Sequence, residues 1–485
     1  MNDMNVNVKL DVEKVVFDKN GSVNMMASIA APDLSKDAKR NPICICAVID
    51  RSGSMFGSKI EYVRKSIWKM IDHMTEDDSL ALVFFDDRIE TSEFRKMTSA
   101  NKEVMKQNVA RVEARGSTDI GSAVVAAGRL FAGYEGGAKA VERIMLLTDG
   151  QANIGATDMG SFEPILSGVR SGVTVSTFGY GDGFNEELLT AMSKQGSGNS
   201  YYIESPDNVS KVFAVELGGL LTCFAQDIVL SIKTHKGAGV TNVLNDLDVS
   251  TRQDSDGELV TDVKIGDIYS GERRDVIVRL DFEKRPQALP RPVTLADITV
   301  TYRTMSDAQS KKDESKVKIE LVKTAAEATK TPDEEISEQV AILEAANIMV
   351  KAKKMADSGD WLGAKGCIQT SALHLRRMGG EKAAIFADDM DSLAGDMSAS
   401  YTAGGNLSKG IGSYAYATTS CRSISSTGNL AGSKGKVVAM NTMMSALVDD
   451  FDSDTTGSTV TVNSVDDPSS ASTSTTGYVK TRLSR

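Results

Sequence analysis

The amino-acid sequence predicts an α/β fold in which a doubly wound parallel-sheet domain is inserted into an antiparallel β-sandwich and followed by a small helical bundle. Three observations predict this arrangement. Apolar residues recur at every second position near the amino terminus and again after Phe224, which is typical of antiparallel strands. Between these regions, short apolar runs alternate with amphipathic helical patterns, as in a parallel sheet covered on both faces. Three further helical patterns follow Thr331.

The predicted division of the 485 residues has five parts. They are a hairpin that joins the sandwich (1–40), the α/β domain (41–223), the sandwich (224–324), a helical hairpin or bundle (325–400) and a largely disordered tail (401–485). The tail is rich in Ser, Thr and Gly, and only residues 437–451 contain enough apolar residues to predict a short helix.

The first segment predicts a β-hairpin. Val6, Val8 and Leu10 alternate with polar residues, and Asn20 followed by Gly21 favours a type I′ turn. Because an isolated hairpin is only marginally stable in water, it needs a larger sheet to join. The later β region is the nearest candidate, and this predicts that the α/β domain is inserted into a discontinuous sandwich.

Apolar runs within the α/β domain predict strands at 43–50, 79–86, 143–149, 173–180 and, briefly, 201–204. Amphipathic patterns predict helices at 58–74, 101–112, 119–134, 162–171, 185–195 and 206–222. Period-two alternation predicts sandwich strands around 228–232, 276–282, 298–302 and 317–321. A capping box at residues 331–334 predicts the start of the first C-terminal helix.

Composition excludes several classes of function. Hydrophobic residues make up 41% and charged residues 25%, which is typical of a chain that buries a core. A formal net charge of −11 opposes binding to nucleic acid or anionic lipid. Five dispersed cysteines form no disulfide framework, so a reducing, cytoplasmic location is expected. Neither an export signal nor a membrane-spanning segment is expected.

Three polar segments lie where predicted strands meet their loops. Residues 50–54 follow the first α/β strand, residues 116–121 open a helix, and residues 148–150 close another strand. Because ligands bind at the carboxyl edge of open parallel sheets, these segments are expected to converge. Together they offer hydroxyls and two or three carboxylates, with no nitrogen or sulfur ligand. Such an all-oxygen set favours Mg²⁺, with Mn²⁺ or Ca²⁺ as alternatives.

The neutral hydroxyls determine what such a cation can do. Carboxylates alone would neutralise the cation, whereas the neutral hydroxyls of Ser and Thr leave it with a net positive charge that can attract an anion from another molecule. Mg²⁺ also retains water, which a carboxylate from another molecule can replace. The three segments therefore predict an adhesive site for an acidic group on a partner protein.

The Asp-x-Ser-x-Ser run at 50–54, the later Thr118 and the Thr-Asp-Gly at 148–150 resemble the metal-ion-dependent adhesion site of von Willebrand factor A domains. The resemblance covers residues 41–223. More loosely, the order of regions is similar to that of bacterial cytosolic-type proteins labelled calcium-activated channel homologues, and of plant relatives with a RING finger. Neither channel nor ligase activity is expected, since the sequence has no membrane-spanning run and no RING cysteine cluster.

The resemblance also implies roles for individual residues. It implies that Ser52, Ser54 and Thr118 ligate the metal directly. Asp50 and Asp149 would act directly or through water, and an Asp or Glu of a protein ligand would complete the shell.

Catalytic alternatives have little support in the sequence. His73, His235 and His374 are isolated from one another, so neither a serine hydrolase nor a zinc site is expected. The run from Gly53 to Lys59 lacks the spacing of a phosphate-binding Walker A loop. Hydrolysis by Mg²⁺ would need further acidic ligands or a general base. We therefore expect no enzyme activity.

The sequence predicts a cytoplasmic, metal-dependent protein-binding module. Two alternatives stay open: an adaptor subunit of an AAA-type ATPase in chelatase-like or remodelling machinery, and a structural component of a larger assembly. Asp119 is expected to cap a helix or form an ion pair near the site rather than contact the metal.

Overall fold

The computed structural model describes residues 3–33, 40–134, 137, 139–150, 152–180, 184–203, 209–286 and 291–399, together with Ile411, Ala415 and Thr418. Apart from these last three residues, the predicted tail lies outside the described residues, and so does the short helix expected at 437–451. The described part of the chain contains three sheets and a C-terminal group of helices.

The amino-terminal segment forms strands β1 (Asn5–Leu10), β2 (Lys14–Val16) and β3 (Gly21–Ala30). Strands β1 and β3 pair antiparallel as predicted, whereas β2 leaves the hairpin to join another sheet. The predicted type I′ turn is wrong, because neither Asn20 nor Gly21 has a positive φ. Glycine is needed at position 21 for a different reason: an added Cβ would lie 2.6 Å from Cζ of Phe282.

The α/β unit is built on a mixed sheet. Its strands are β4 (Ile43–Asp50), β5 (Ser79–Phe85), β6 (Ile89–Thr91), β7 (Arg95–Lys96), β8 (Val141–Thr148), β9 (Val173–Tyr180) and β10 (Ser197–Ile203). The order is β10-β9-β8-β4-β5-β6, and β7 also pairs with β5. Strands β6 and β7 are antiparallel to β5, while the others run parallel. The sequence prediction missed β6 and β7, which are too short to show a period.

Helices cover both faces of this sheet. They are α1 (Ser58–His73), α2 (Ser99–Ala110), α3 (Ile120–Ala132), α4 (Met159–Ser167), α5 (Glu186–Gln195) and α6 (Val209–Leu221). Ile45 and Ile49 pack in one core, and Cys44 and Cys46 pack in the core on the opposite face. Burial raises the pKa of both thiols well above the usual range. Because both faces of β4 are buried, its residues form one continuous apolar run.

The second β region forms strands β11 (Cys223–Thr234), β12 (Ala238–Val243), β13 (Asp248–Gln253), β14 (Leu259–Tyr269), β15 (Arg273–Phe282), β16 (Val293–Thr304) and β17 (Ser310–Val322). One sheet has the order β1-β3-β15-β12, and the other has the order β13-β14-β11-β16-β17-β2. Inward residues of both sheets share one core. Since β3 precedes the α/β unit and pairs with β15 after it, the predicted insertion into a β-sandwich is confirmed. The sandwich strands pair antiparallel as predicted, except that β2 and β17 run parallel.

Three helices follow the sandwich: α7 (Glu334–Asp357), α8 (Trp361–Met378) and α9 (Glu381–Ala399). The N-cap of α7 is Asp333, which accepts a hydrogen bond from the amide of Ile336, so the predicted capping box at 331–334 is wrong in register. Ile336 and Leu343 pack against Met26 and Ile277 of the sandwich. Within the described segments, no helix has the length and apolar character needed to cross a membrane.

A buried ion pair connects the α/β unit to the sandwich. The side chain of Arg143 on β8 donates from Nη2 to Oδ2 of Asp267 on β14 at 2.7 Å. Its Nε lies 3.4 Å from Oε1 of Glu216 on α6, and all three side chains are buried. Burial opposes the charged state of Arg143, but the two carboxylates outweigh it and raise the pKa of the guanidinium.

Candidate metal centre

The three predicted polar segments meet at the carboxyl edge of the mixed sheet. Strands β4 and β8 are parallel neighbours, so the residues that follow them emerge at the same edge. The loop at 115–119 is held there by backbone hydrogen bonds. The amide of Gly53 donates to the carbonyl of Gly116 at 3.2 Å, and the amide of Asp119 donates to the carbonyl of Asp86 at 3.0 Å.

Four of the five predicted ligands form one continuous chain of hydrogen bonds. The amide of Ser52 donates to Oδ1 of Asp50 at 2.7 Å. The hydroxyl oxygens of Ser52 and Ser54 lie 3.1 Å apart, and Oγ of Ser54 donates to Oδ1 of Asp149 at 2.7 Å. Residues separated by 95 positions in the sequence are thereby joined.

Thr118 lies next to this chain, facing Gly150. A Cβ added to Gly150 would lie 3.2 Å from Oγ1 of Thr118 and 3.6 Å from Oδ2 of Asp50. The amide of Thr118 donates to Oδ1 of Asn153 at 2.9 Å, which fixes the backbone at this position. A side chain at position 150 would fill the space between Thr118 and Asp50, so glycine keeps the two oxygens open to each other.

The site is largely buried and negatively charged. Asp50, Ser52, Thr118 and Asp149 are buried, whereas Ser54 is exposed at the surface. Burial raises the pKa of Asp50 to about 6, although hydrogen bonds from the Thr148 hydroxyl and from Ser52 oppose the shift. Two carboxylates held out of water in this way favour a nearby positive charge.

An ammonium group already supplies one such charge. Lys59, in the first turn of α1, donates from Nζ to Oδ2 of Asp149 and to the carbonyl of Ser54 at 3.3 Å. The sequence analysis missed this residue. Its position could have identified it, because a positive charge in the first turn of a helix is disfavoured by the helix dipole and needs a negatively charged partner.

Other polar residues in the loops support the predicted ligands. The hydroxyl of Thr148 donates to Oδ2 of Asp50 and accepts a hydrogen bond from the amide of Gly150 at 3.1 Å. Asp119 accepts from the amide of Ser122 at 3.0 Å, so it is the N-cap of α3, as expected. The sequence analysis included Thr148 in the segment at 148–150 but gave it no separate role, and it missed Asn153, since a single polar residue in a loop carries no periodic signal.

The donor set fits a hard, oxygen-preferring cation and not zinc or copper. Among the described residues, no group of three or more His, Cys, Asp or Glu side chains is arranged to hold a metal ion. A cation at this edge would instead depend on three hydroxyls and two carboxylates. Oxygen ligands of this kind suit Mg²⁺, Mn²⁺ or Ca²⁺, whereas zinc and copper favour nitrogen and sulfur.

Comparison with known proteins identifies the α/β unit, whose sheet edge holds the predicted ligands. Residues 45–215 match the model of the family described as von Willebrand factor type A domain. The chain contains a von Willebrand factor type A domain. The matched residues include all five predicted ligands and exclude the sandwich and the C-terminal helices.

Relatives of the chain share more than this domain. An uncharacterised protein of Synechocystis sp. is 26% identical over 353 residues, covering 69% of this chain and 79% of that protein. The protein YfbK of Escherichia coli K12 is 30% identical over 209 residues, or 41% of this chain and 36% of YfbK. A von Willebrand factor type A protein from Catenulispora acidiphila has a solved structure with a TM-score of 0.65 and 16% identity, covering 81% of this chain and 89% of that one. This structural likeness shows the fold, which extends beyond the von Willebrand factor type A domain.

Within the von Willebrand factor type A domain, Asp86 holds two of the loops together. Its Oδ2 accepts from Nε of Arg51 at 2.9 Å and from Nε of Arg115 at 2.7 Å. Burial opposes ionisation of Asp86, but the hydrogen bonds and charges of the two arginines lower its pKa. The loop with Ser52 and Ser54 and the loop with Thr118 are therefore linked through one buried carboxylate.

Proposed function

We propose that the von Willebrand factor type A domain holds a divalent cation and uses it to bind an Asp or Glu side chain of a partner protein. Mg²⁺ is the proposed cation, with Mn²⁺ or Ca²⁺ as alternatives. Ser52, Ser54 and Thr118 would ligate it, and Asp50 and Asp149 would act directly or through water. The contacts of Ser54 Oγ, 3.1 Å from Ser52 Oγ and 2.7 Å from Asp149 Oδ1, carry this proposal.

The charge of the site supports binding of an anion. Asp50 and Asp149 carry at most two negative charges, which one dication offsets, and Lys59 adds a positive charge at the same edge. When bound, the cation supplies a coordination position at which a carboxylate replaces water. The protein's own role is to hold and orient the cation. No proton acceptor for hydrolysis is proposed, so the module binds without catalysis.

Calorimetry tests the metal part of the proposal. The metal-stripped chain, titrated with Mg²⁺ and with Mn²⁺, is expected to release or absorb heat with one-site stoichiometry. Thr118→Ala is the most informative variant, because Asp50 is buried and hydrogen-bonded to Thr148, so replacing Asp50 also perturbs folding. We expect Thr118→Ala to weaken cation binding by about tenfold or more. Thr241→Ala, an exposed site on β12, is the matched control, and wild-type protein that binds neither cation contradicts the proposal.

Affinity capture tests the partner part of the proposal. The wild-type chain is expected to retain a partner in buffered Mg²⁺ and to release it in EDTA. Thr118→Ala is expected to lose that partner, and Thr241→Ala is expected to keep it. If the same proteins are retained with and without EDTA by all three chains, the partner is not bound through the cation.

Two alternative functions predict different outcomes. As an adaptor of an AAA-type ATPase, the chain would copurify with an ATPase and stimulate its activity. As a structural component, it would elute with a large assembly. A cytoplasmic location belongs to all three versions of the proposal and is tested by cell fractionation.

A further inference from the structure

Phe56 is a large apolar side chain directly beside the proposed cation site. It is 83% exposed, although Met55 before it is fully buried. Its amide donates to the carbonyl of Gly53 at 3.3 Å, so its backbone belongs to the same turn as Ser54. Among the described large hydrophobic residues, only Leu362, on α8, is as exposed, at 84%. Single exposed hydrophobic residues are common on protein surfaces, so it is the position of Phe56 in the turn that carries Ser54 that points to a role at this site.

A second exposed apolar residue belongs to a loop that contacts Thr118. Ile154 is 38% exposed, and its amide donates to the carbonyl of Thr118 at 3.3 Å. Phe56 thus belongs to the loop that carries Ser52 and Ser54, and Ile154 belongs to the loop that contacts Thr118. We call these two residues, Phe56 and Ile154, the apolar rim.

We infer that the apolar rim selects a partner segment in which an Asp or Glu is flanked directly by a large apolar residue. This inference rests on the proposed function, since the acidic residue is the one that meets the cation. Charge supports an acidic segment, because the bound dication and Lys59 together repel a basic one. The flanking apolar residue would bury Phe56 and exclude water from the bond between cation and carboxylate, which strengthens that bond.

The test uses a peptide array probed with the full chain. Each peptide has a central Asp in a Ser and Gly background, and the two residues beside the Asp are varied through all amino acids. In buffered Mg²⁺, peptides with Phe, Leu, Ile or Trp beside the Asp are expected to bind about tenfold more tightly than those with Ser or Lys. Phe56→Ser is expected to remove this difference. Leu362→Ser, which removes an equally exposed apolar residue far along the chain, is expected to keep it.

Calorimetry with Mg²⁺ on the same variants separates the two proposals. Phe56→Ser is expected to bind Mg²⁺ as the wild type does, which shows that the variant is folded and that only the rim is lost. If binding depends on Mg²⁺ but not on the flanking residues, the inference about the apolar rim is wrong and the proposed function still holds. Equal loss of the preference in Phe56→Ser and Leu362→Ser also overturns that inference. If no peptide binds in an Mg²⁺-dependent way and no heat of Mg²⁺ binding is seen, the proposed function fails and the rim fails with it.

Discussion

The ammonium group of Lys59 donates a hydrogen bond to the carboxylate of Asp149, which lies 90 residues further along the chain. Asp149 is one of the five predicted cation ligands, and its other oxygen accepts from Ser54. The lysine side chain is about one third exposed, so it can leave the carboxylate without disturbing a core. Lys59 is therefore a tethered positive charge at a place where a soluble cation is proposed to bind.

Replacing Lys59 by methionine is expected to tighten Mg²⁺ binding by about threefold to tenfold, since it removes both a competitor for Asp149 and a nearby like charge. Isothermal calorimetry measures the change. Lys65→Met, on the same helix and exposed, is the control and is expected to leave the affinity within about twofold of wild type. Weaker binding in Lys59→Met would mean that the lysine orients Asp149 and does not compete for it.

Gly116→Ala is expected to disturb the loop that carries Thr118. Gly116 has a φ of +70°, and an added Cβ would overlap Oδ1 of Asp87 and lie 3.2 Å from Cβ of Asp86. The left-handed backbone alone costs about 1–2 kcal/mol for alanine. The exposed Asp87 side chain can move aside, but the close contact with Cβ of buried Asp86 adds to that cost. Gly257 has a similar φ of +80°, and a Cβ added there would have no atom within 4 Å. Gly257→Ala therefore carries only the cost of the left-handed backbone.

Urea denaturation of the two glycine variants separates the cost of the left-handed backbone from the cost of the steric contact. Gly116→Ala is expected to lose more free energy of unfolding than Gly257→Ala and, in addition, to bind Mg²⁺ less tightly. Equal losses in the two variants, with unchanged Mg²⁺ affinity, would show that the loop adapts to the side chain.

Arg143→Met is expected to destabilise the protein by about 3–5 kcal/mol, because it leaves the carboxylates of Asp267 and Glu216 buried without their cation. The free energy of unfolding from urea denaturation measures the loss. Arg252→Met breaks an exposed ion pair with Asp262 and is expected to change stability by less than about 1 kcal/mol. A similar small change in Arg143→Met would show that this buried ion pair contributes little to stability.

Glu335, in the first turn of α7, contacts strands β1 and β15, which lie on either side of β3 in one sheet. It accepts from Nζ of Lys9 at 2.7 Å and from Nη2 of Arg273 at 2.6 Å. The hydrogen bond from Lys9, together with Arg273, lowers the pKa of Glu335 from 4.5 to about 2. A lowered pKa in the folded state stabilises the protein above the unfolded pKa, and this contribution disappears as the pH falls through the folded value.

Glu335→Gln is therefore expected to be less stable than wild type near neutral pH, by at most about 1 kcal/mol because the group is partly exposed. The difference should shrink as the pH falls from 4.5 towards about 2. Thermal denaturation at several pH values measures it. Glu334→Gln, the exposed neighbour, is the control and is expected to keep the wild-type stability near neutral pH.

Much of the fold was predictable because it depends on local patterns. The two-sided burial of β4 produces an unbroken apolar run that ends at Asp50, and the helix after it begins within a few residues. Parallel strands end at one edge of a sheet, so the segments around Ser52, Thr118 and Asp149 could be assigned to one site before any coordinates. Their ligation of a cation stays a prediction.

The sequence by itself determined which residues form the strands and helices and which side chains stand at the strand ends, because burial on one or two faces imposes a local period. Only the tertiary structure decided that Lys59 contacts Asp149, that Arg143 pairs with Asp267, and that Phe56 stays exposed. These relationships depend on how elements far apart in the chain are set against each other. The relative position of two elements produces no periodic pattern of apolar residues in the sequence of either one. The physical cause of each contact therefore lies in the packing of the whole domain.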